Sequence, residues 1–331
     1  MTLSKRSILW VAMLTASLGT SAPTQNSPQW VLPVVEARGL RHCIFTSAAA
    51  RTNVSYFIYL PAIYDAQPHQ RFPVLYWLHG SGGGLPGVPA MVDHFDTAIR
   101  AGKTPPMLIV FVNGLADSMY CDSKDGRTPM ETLIVKELVP NVDAGFRTIT
   151  NREGRLLEGF SMGGYGAARL GFKYHDLFGS ISILAGGPLD LELKGPRATA
   201  NPKERERILQ TAFGGDLEYF KAQSPWMLAE QNADAIRSNT RIRMATGESD
   251  STLKPTASSP RILRCSASRI PSRLCRVSPT TALPSRMPLA MPTGNSTVLP
   301  SPRKLLVRPH RSSPGDRSGE IPNQSHLACG P

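Results

Sequence analysis

The sequence predicts an α/β domain built on a doubly wound, mostly parallel sheet, followed by a C-terminal tail that forms no core. Two unbroken apolar runs, residues 72–78 and 107–112, suit strands that are buried on both faces, and such strands occur in parallel sheets covered by helices. Helical patterns separate the later apolar runs. Strands and helices that alternate with short loops indicate a doubly wound sheet.

The elements follow in chain order. A β-branched and aromatic stretch predicts the first strand, and the helix is predicted from apolar residues that share one side, namely Leu133, Ile134, Leu138, Val139 and Val142. The predicted strands are 54–61, 72–78, 107–112, 155–158, 181–184 and 241–245, and the predicted helix spans 130–146.

The last 81 residues differ sharply from the rest of the chain. Residues 251–331 contain 12 Lys and Arg against 2 acidic residues, with 13 Pro and no Phe, Trp or Tyr. A segment without aromatic residues and with frequent proline cannot build a core, so residues 253–331 are predicted to be disordered. Because no aromatic platforms accompany the positive charge, we expect no nucleic-acid partner.

The N-terminus has the pattern of a secretory signal peptide. Lys5 and Arg6 precede an apolar stretch, and small residues follow up to Ala22; the stretch is short for a membrane span, although an uncleaved anchor is the alternative. We therefore predict a signal peptide over 1–22, a linker over 23–39, and a secreted or periplasmic protein with no other membrane segment.

The five cysteines show no metal-ligand spacing, so no metal site is expected. Cys43 and Cys121 are candidates for a disulfide in an oxidising compartment, and two unpaired buried thiols are the alternative.

Ser161 is the candidate nucleophile. The stretch EGFSMGGYGAARLG at 158–171 sets this serine between Gly159 and Gly163, directly after a predicted strand and before a helical pattern. A strand–turn–helix placement with small flanking residues is what a nucleophile elbow requires. The alternative is a serine that only caps a helix in a glycine-rich turn.

A second glycine-rich loop, HGSGGG at 79–84, also ends a strand. Acyl transfer generates an oxyanion that needs preorganised N–H donors, and the donors predicted here are the backbone N–H groups of Ser81 and Met162. His79 is a candidate base, although a role in shaping the loop is favoured. The GxxxxGK[ST] pattern of phosphate-binding loops is absent.

The candidate acid is Asp250, which follows the last predicted strand and lies after the serine in the chain. Glu248 is the alternative acid. A solvated loop carboxylate without a catalytic role is the alternative to both.

These segments together, FPVLYWLHGSGGG, EGFSMGGYGAARLGFKYHDLFGSISILAGG and GESD, resemble the esterase D-like group of α/β-hydrolases over about residues 40–252. That group includes feruloyl and acetylxylan esterases, S-formylglutathione hydrolases, enterochelin esterases and mycolyltransferases. The resemblance implies an α/β-hydrolase fold, Ser161 as nucleophile, Asp250 as acid, and Ser81 and Met162 as oxyanion donors. It also implies a final strand followed by a histidine loop.

The chain departs from this pattern after Asp250. The only later histidines, His310 and His326, stand in Pro- and Ser-rich surroundings, and the earlier candidates His69, His79, His94 and His175 precede the acid. The catalytic histidine is therefore unassigned. A shift of reading frame near residue 251 would explain its loss, because shifted codons from Cys265 permit Leu-Gly-Ile-Pro-His and those from Cys275 permit Pro-Gly-Val-Pro-His.

The sequence predicts a secreted serine hydrolase of carboxylic esters, acting on carbohydrate-linked or other small extracellular esters without a cofactor. The second hypothesis is a catalytically impaired remnant of the esterase fold, or a binding module, because the catalytic histidine is missing and the domain over 40–252 is truncated. An acyltransferase that uses the same serine is the third.

Overall fold

The computed structural model describes residues 28–187, 202–246 and 328–330. The predicted signal peptide, the predicted acid Asp250 and nearly all of the predicted tail lie outside these residues. The described chain forms one eight-stranded sheet with the strand order β7-β6-β5-β3-β4-β2-β1-β8. The strands are β1 Leu40–Ser47, β2 Thr52–Tyr59, β3 Val74–Leu78, β4 Leu108–Phe111, β5 Arg155–Phe160, β6 Ser180–Leu184, β7 Arg241–Ala245 and β8 Ala328–Gly330.

Five strands are parallel and form the half of the sheet that carries the site. β3 pairs with β4 and β5, β5 pairs with β6, and β6 pairs with β7, all in parallel register. The pairs β1–β2, β2–β4 and β1–β8 are antiparallel. The carboxyl ends of the five parallel strands therefore meet at one edge of the sheet, where ligands bind in open α/β sheets.

The helices cover both faces. They are α1 Ile63–Ala66, α2 Val88–Arg100, α3 Met130–Thr132, a π-helical segment Leu133–Leu138, α4 Val139–Gly145, α5 Met162–Lys173, α6 Pro202–Phe213, α7 Leu217–Ala222, α8 Pro225–Gln231 and α9 Ala233–Asn239. The predicted helix over 130–146 is thus confirmed, with a π-helical segment that the spacing did not predict. Pro140 lies at the start of α4, where its missing N–H interrupts the regular hydrogen-bond ladder.

Alternate residues of β3 enter two separate cores. Val74, Tyr76 and Leu78 face the larger core, which contains buried residues of α3, α4 and α5. Leu75 and Trp77 face a smaller core that α2 covers. This alternation is the period of two that a strand imposes, and burial on both faces explains why β3 is a continuous apolar run.

The segment before β1 contacts the sheet although it has no helix or strand. The sequence predicts a linker over 23–39, and in its described part Trp30 packs on the larger core while Leu32 packs on the smaller one. The Trp30 carbonyl accepts hydrogen bonds from the backbone of Ser55 and the side chain of Asn113.

The predicted pairing of Cys43 with Cys121 is wrong, and so is the alternative of two free thiols. Cys43 lies on β1 opposite Cys329 of β8, and these two form a disulfide. Cys121 is a buried free thiol, and burial raises its pKa to about 12. The register of the antiparallel pair β1–β8 explains this disulfide, because it places Cys329 directly beside Cys43, with the two Cα atoms 4.2 Å apart.

No helix in the described ranges is both long enough and apolar enough to cross a bilayer.

Candidate active site

Ser161 stands at a sharp turn between β5 and α5. Its φ of 56° and ψ of −114° place it in the left-handed half of backbone space, which is strained for a residue with a side chain. Hydrogen bonds hold it there. Its N–H donates to the Leu184 carbonyl at 2.9 Å, and its carbonyl accepts from the N–H of Tyr165 at 3.0 Å.

Two glycines make this turn sterically possible. A Cβ atom on Gly159 would lie 2.1 Å from the Gly163 carbonyl oxygen, and one on Gly163 would lie 1.9 Å from the Leu78 carbonyl oxygen. Any side chain at either position would push α5 away from β3 and β5. The Gly-x-Ser-x-Gly spacing is therefore a packing requirement of this elbow.

The loop 79–84 lies beside the serine. A Cβ atom on Gly80 would be 3.5 Å from the Cβ of Ser161, so the backbone at the end of β3 and the candidate nucleophile are in direct contact range. Gly82 and Gly83 have φ values of 87° and 97°, which glycine adopts at little cost. The Gly82 N–H donates to the Ala116 carbonyl at 2.9 Å and joins this loop to the segment after β4.

His79 fixes the loop through both ring nitrogens. Its Nε2 accepts the N–H of Gly114 at 3.0 Å, so the proton is on Nδ1, which donates to the Gly80 carbonyl at 2.7 Å. Burial lowers the pKa of His79, and its bond to the Gly80 carbonyl offsets only part of that. The ring is therefore neutral and has no free nitrogen, which excludes it as a base and agrees with a loop-shaping role.

The bond to the Gly80 carbonyl also orients the next N–H group. A trans peptide is planar and directs its C=O and N–H to opposite sides. Because His79 holds the carbonyl of the Gly80–Ser81 peptide, the Ser81 N–H points away from the imidazole. The second predicted donor, the Met162 N–H, is the first of α5 and has no intrahelical acceptor.

The structure brings three of the four predicted site residues together: Ser161, Met162 and the loop that contains Ser81. β7 ends at Ala245 beside the end of β6, where the Ala185 N–H donates to the Ala245 carbonyl at 2.7 Å. The next residues, with Glu248 and Asp250, lie outside the described part of the chain. The carboxyl end of β7 therefore lies at the same edge of the sheet as Ser161.

None of the histidines in the described ranges is bonded to the Ser161 hydroxyl. His42 stacks on Phe57, and His94 lies in α2 on the other face of the sheet. His175 follows the C-terminal end of α5, about 18 Å from Ser161 for twelve helical residues. His310 and His326 are outside the described residues.

Sequence reasoning missed a buried ionic network behind the elbow. Arg169 of α5 has no exposed surface, forms an ion pair with Glu131 of α3, and donates to the Tyr120 carbonyl at 3.1 Å. Lys173 and Tyr174 also donate to Glu131, at 2.6 and 2.5 Å. The arginine in GYGAARLG was the only visible signal, because its partner lies 38 residues earlier.

Electrostatics keep Glu131 ionised. Burial alone raises the pKa of Glu131, but the Arg169 charge and the hydrogen bonds from Lys173, Tyr174 and Arg169 outweigh it and hold the pKa below its ordinary value of 4.5. In the described ranges, no group of three or more His, Cys, Asp or Glu side chains is arranged to hold a metal ion.

Comparisons with known proteins place the chain in a family. The sequence model of the family described as "Putative esterase" matches residues 47–278. The chain is 30% identical over 150 residues to an endo-1,4-beta-xylanase/feruloyl esterase of Xylanibacter ruminicola, covering 43% of this chain and 21% of that protein. It is 34% identical over 146 residues to Esterase Rv1288 of Mycobacterium tuberculosis, covering 43% and 31%. The match thus spans less than a third of each relative.

Two solved structures share the fold. A ferulic acid esterase superposes with a TM-score of 0.55 at 22% identity, covering 69% of this chain and 86% of the other. An S-formylglutathione hydrolase from Agrobacterium tumefaciens gives a TM-score of 0.51 at 17% identity, covering 70% and 84%. With a family match over more than two thirds of its length, and a serine at the turn between β5 and α5, the chain belongs to the esterase family and has the α/β-hydrolase fold.

Proposed function

We propose that the chain hydrolyses carboxylic esters through an acyl intermediate on Ser161. The observation that carries this proposal is the strained Ser161 backbone, with φ 56° at the start of α5, next to a glycine-rich loop. Strain of this kind persists only where surrounding contacts impose it, and it clusters at functional sites. A serine that merely capped α5 would bond the helix N-terminus, whereas the Ser161 side chain makes no capping bond.

The reaction runs in two halves. The Ser161 Oγ attacks the ester carbonyl while its proton passes to a base, and the N–H groups of Met162 and Ser81 bind the oxyanion of the tetrahedral intermediate. The intermediate collapses, the C–O bond to the alcohol breaks, and the base returns the proton to the leaving alcohol. Water then attacks the acyl-serine in the same way, which releases the acid and restores Ser161.

Asp250 is proposed to orient the base. It follows β7 in the sequence, the strand next to β6 in the sheet, and an acid at that position follows the serine in chain order.

The base itself is proposed to be a histidine. The resemblance implies a histidine loop after a final strand, and this reading frame lacks that loop. A reading-frame shift near codon 251 is proposed as the cause, and the nucleotide sequence of codons 245–260 tests it directly. A sequence in which no one- or two-base change restores a hydrolase frame would refute the shift.

A second candidate function rests on the missing base. If the chain as written lacks an activated serine, it is an impaired esterase that still binds the same esters. This alternative is supported by the described histidines, none of which bonds Ser161. An unactivated serine has little nucleophilicity at neutral pH.

One pair of measurements separates the two functions. The first is turnover of p-nitrophenyl acetate, and the second is covalent labelling by a fluorophosphonate probe, which needs an activated serine. Active enzyme should show both, and Ser161→Ala should abolish both. The matched control is Ser238→Ala, which removes an exposed serine of α9 next to the N-terminal end of β7. Wild-type protein that neither turns over the ester nor reacts with the probe is the impaired form.

Extracellular esters linked to carbohydrates are the proposed substrates. Support comes from the signal-peptide pattern over 1–22 and from a relative that carries feruloyl esterase in its name. Release of ferulate from methyl ferulate and from feruloylated arabinoxylan tests the acyl group and the carbohydrate part separately. Recovery of the protein from the medium or the periplasm tests export.

A further inference from the structure

Tyr120 joins three parts of the candidate site. Its hydroxyl donates to the His79 carbonyl at 3.0 Å, at the end of β3. Its ring fills the space that glycine leaves at Gly114 and Gly166, since a Cβ atom at these positions would lie 2.4 and 2.5 Å from Tyr120 side-chain atoms. Tyr120 thus contacts the loop 79–84, the segment after β4 and α5.

The backbone at Tyr120 is strained and strongly held. Met119 and Tyr120 both have φ values of 52°, which is uncommon for residues other than glycine. The Ser118 hydroxyl donates to the Gly114 carbonyl at 2.6 Å and accepts the Tyr120 N–H at 3.1 Å. Arg169 donates to the Tyr120 carbonyl from α5. Two consecutive residues have an unfavourable backbone conformation, and these hydrogen bonds maintain it. We take this as a sign that the fold requires Tyr120 at this position.

We propose that Tyr120 is a positioning residue for ester hydrolysis: its hydroxyl and ring fix the loop that carries the Ser81 N–H at a set distance from Ser161. This inference rests on the proposed function. The chain of contacts is short. Tyr120 holds the His79 carbonyl, the His79 ring holds the Gly80 carbonyl, and the Gly80–Ser81 peptide carries the donor. Burial raises the pKa of Tyr120 well above its usual range, so the hydroxyl is protonated and donates at neutral pH.

The test variant is Tyr120→Phe, which keeps the ring in its slot and removes one hydroxyl. The matched control is Tyr56→Phe, since Tyr56 is equally buried and its hydroxyl donates to the neutral Asn141 Oδ1, also at 3.0 Å, between β2 and α4. Both variants should lose similar stability. Only Tyr120→Phe should lower kcat on p-nitrophenyl acetate, roughly threefold to tenfold for one hydrogen bond, with KM unchanged.

A second measurement does not depend on activity. The amides of Gly82 and Gly114 are protected by bonds to the Ala116 carbonyl and to His79 Nε2, so their hydrogen exchange reports on the loop. Exchange at both should be faster in Tyr120→Phe and unchanged in Tyr56→Phe. Equal kcat and equal exchange in the two variants would overturn the proposal. If wild-type protein shows no turnover, the proposed esterase function fails, and the exchange rates then decide separately whether Tyr120 holds the loop 79–84 in place.

Discussion

Glycine and serine at the elbow show how one turn couples backbone strain to packing. The left-handed conformation of Ser161 costs on the order of 1–3 kcal/mol. The bond to Leu184 and the close approach of α5 to β3 offset that cost. The approach is close only because Gly163 has no side chain, so the serine conformation and the helix packing depend on each other.

Gly163→Ala should therefore destabilise the protein strongly. Its Cβ would lie 1.9 Å from the Leu78 carbonyl oxygen, a backbone atom that cannot move without displacing β3. We expect the free energy of unfolding to fall by about 3 kcal/mol, measured by urea denaturation. Gly87→Ala is the control: a Cβ there meets nothing within 4 Å, and φ is −87°. A result in which both variants are equally stable would show that α5 does not pack as described.

Individual elements differ in how well the sequence predicts them. β3 and β4 are continuous apolar runs because both of their faces are buried. The sequence did not predict β1, because the polar residues Arg41 and His42 interrupt its apolar pattern. The elbow was predictable because its glycines act locally. The partners of Arg169 and Tyr120 lie 38 and 41 residues away, and no local pattern encodes such contacts.

The ion pair between α5 and α3 should be essential to stability. Glu131→Gln leaves the Arg169 charge buried without its counter-charge, and breaking a buried pair in this way costs about 3–5 kcal/mol. Exposed Glu218, paired with Lys221 at i,i+3, provides the control Glu218→Gln, with an expected loss below about 0.5 kcal/mol. Urea denaturation at pH 7 measures both.

The stability difference between wild type and Glu131→Gln should depend on pH, because the pKa of Glu131 is lowered in the folded protein. A carboxyl whose pKa is lower in the folded state adds stability above its unfolded pKa of about 4.5 and loses it as pH falls through the folded pKa. The stability gap between wild type and Glu131→Gln should thus be constant above pH 5 and shrink below about pH 4.5. A gap that widens on acidification would contradict the assigned charge.

The whole sheet has two edges that differ in their protection. One edge strand is the three-residue β8, which pairs with β1 and is held in place by the Cys43–Cys329 disulfide. At the other edge, no strand in the described ranges covers β7, where Met244 is 44% exposed. Open edges invite pairing with other chains, and charged residues such as Arg241 and Arg243 oppose it. The β7 edge is where the family resemblance implies a final strand.

The disulfide links residues 286 positions apart, so it should stabilise the fold mainly by restricting the unfolded chain. The chain-entropy relation gives a limit of about 5.6 kcal/mol for so long a loop. Cys329→Ser should lower the free energy of unfolding by up to that amount, and wild-type protein in reductant should match the variant. Cys121→Ser is the control, because Cys121 is an unpaired thiol. Mass spectrometry of an unreduced digest should recover a peptide that joins Cys43 to Cys329, and a cross-link that contains Cys121 instead would refute both the pairing and the register of β8 on β1.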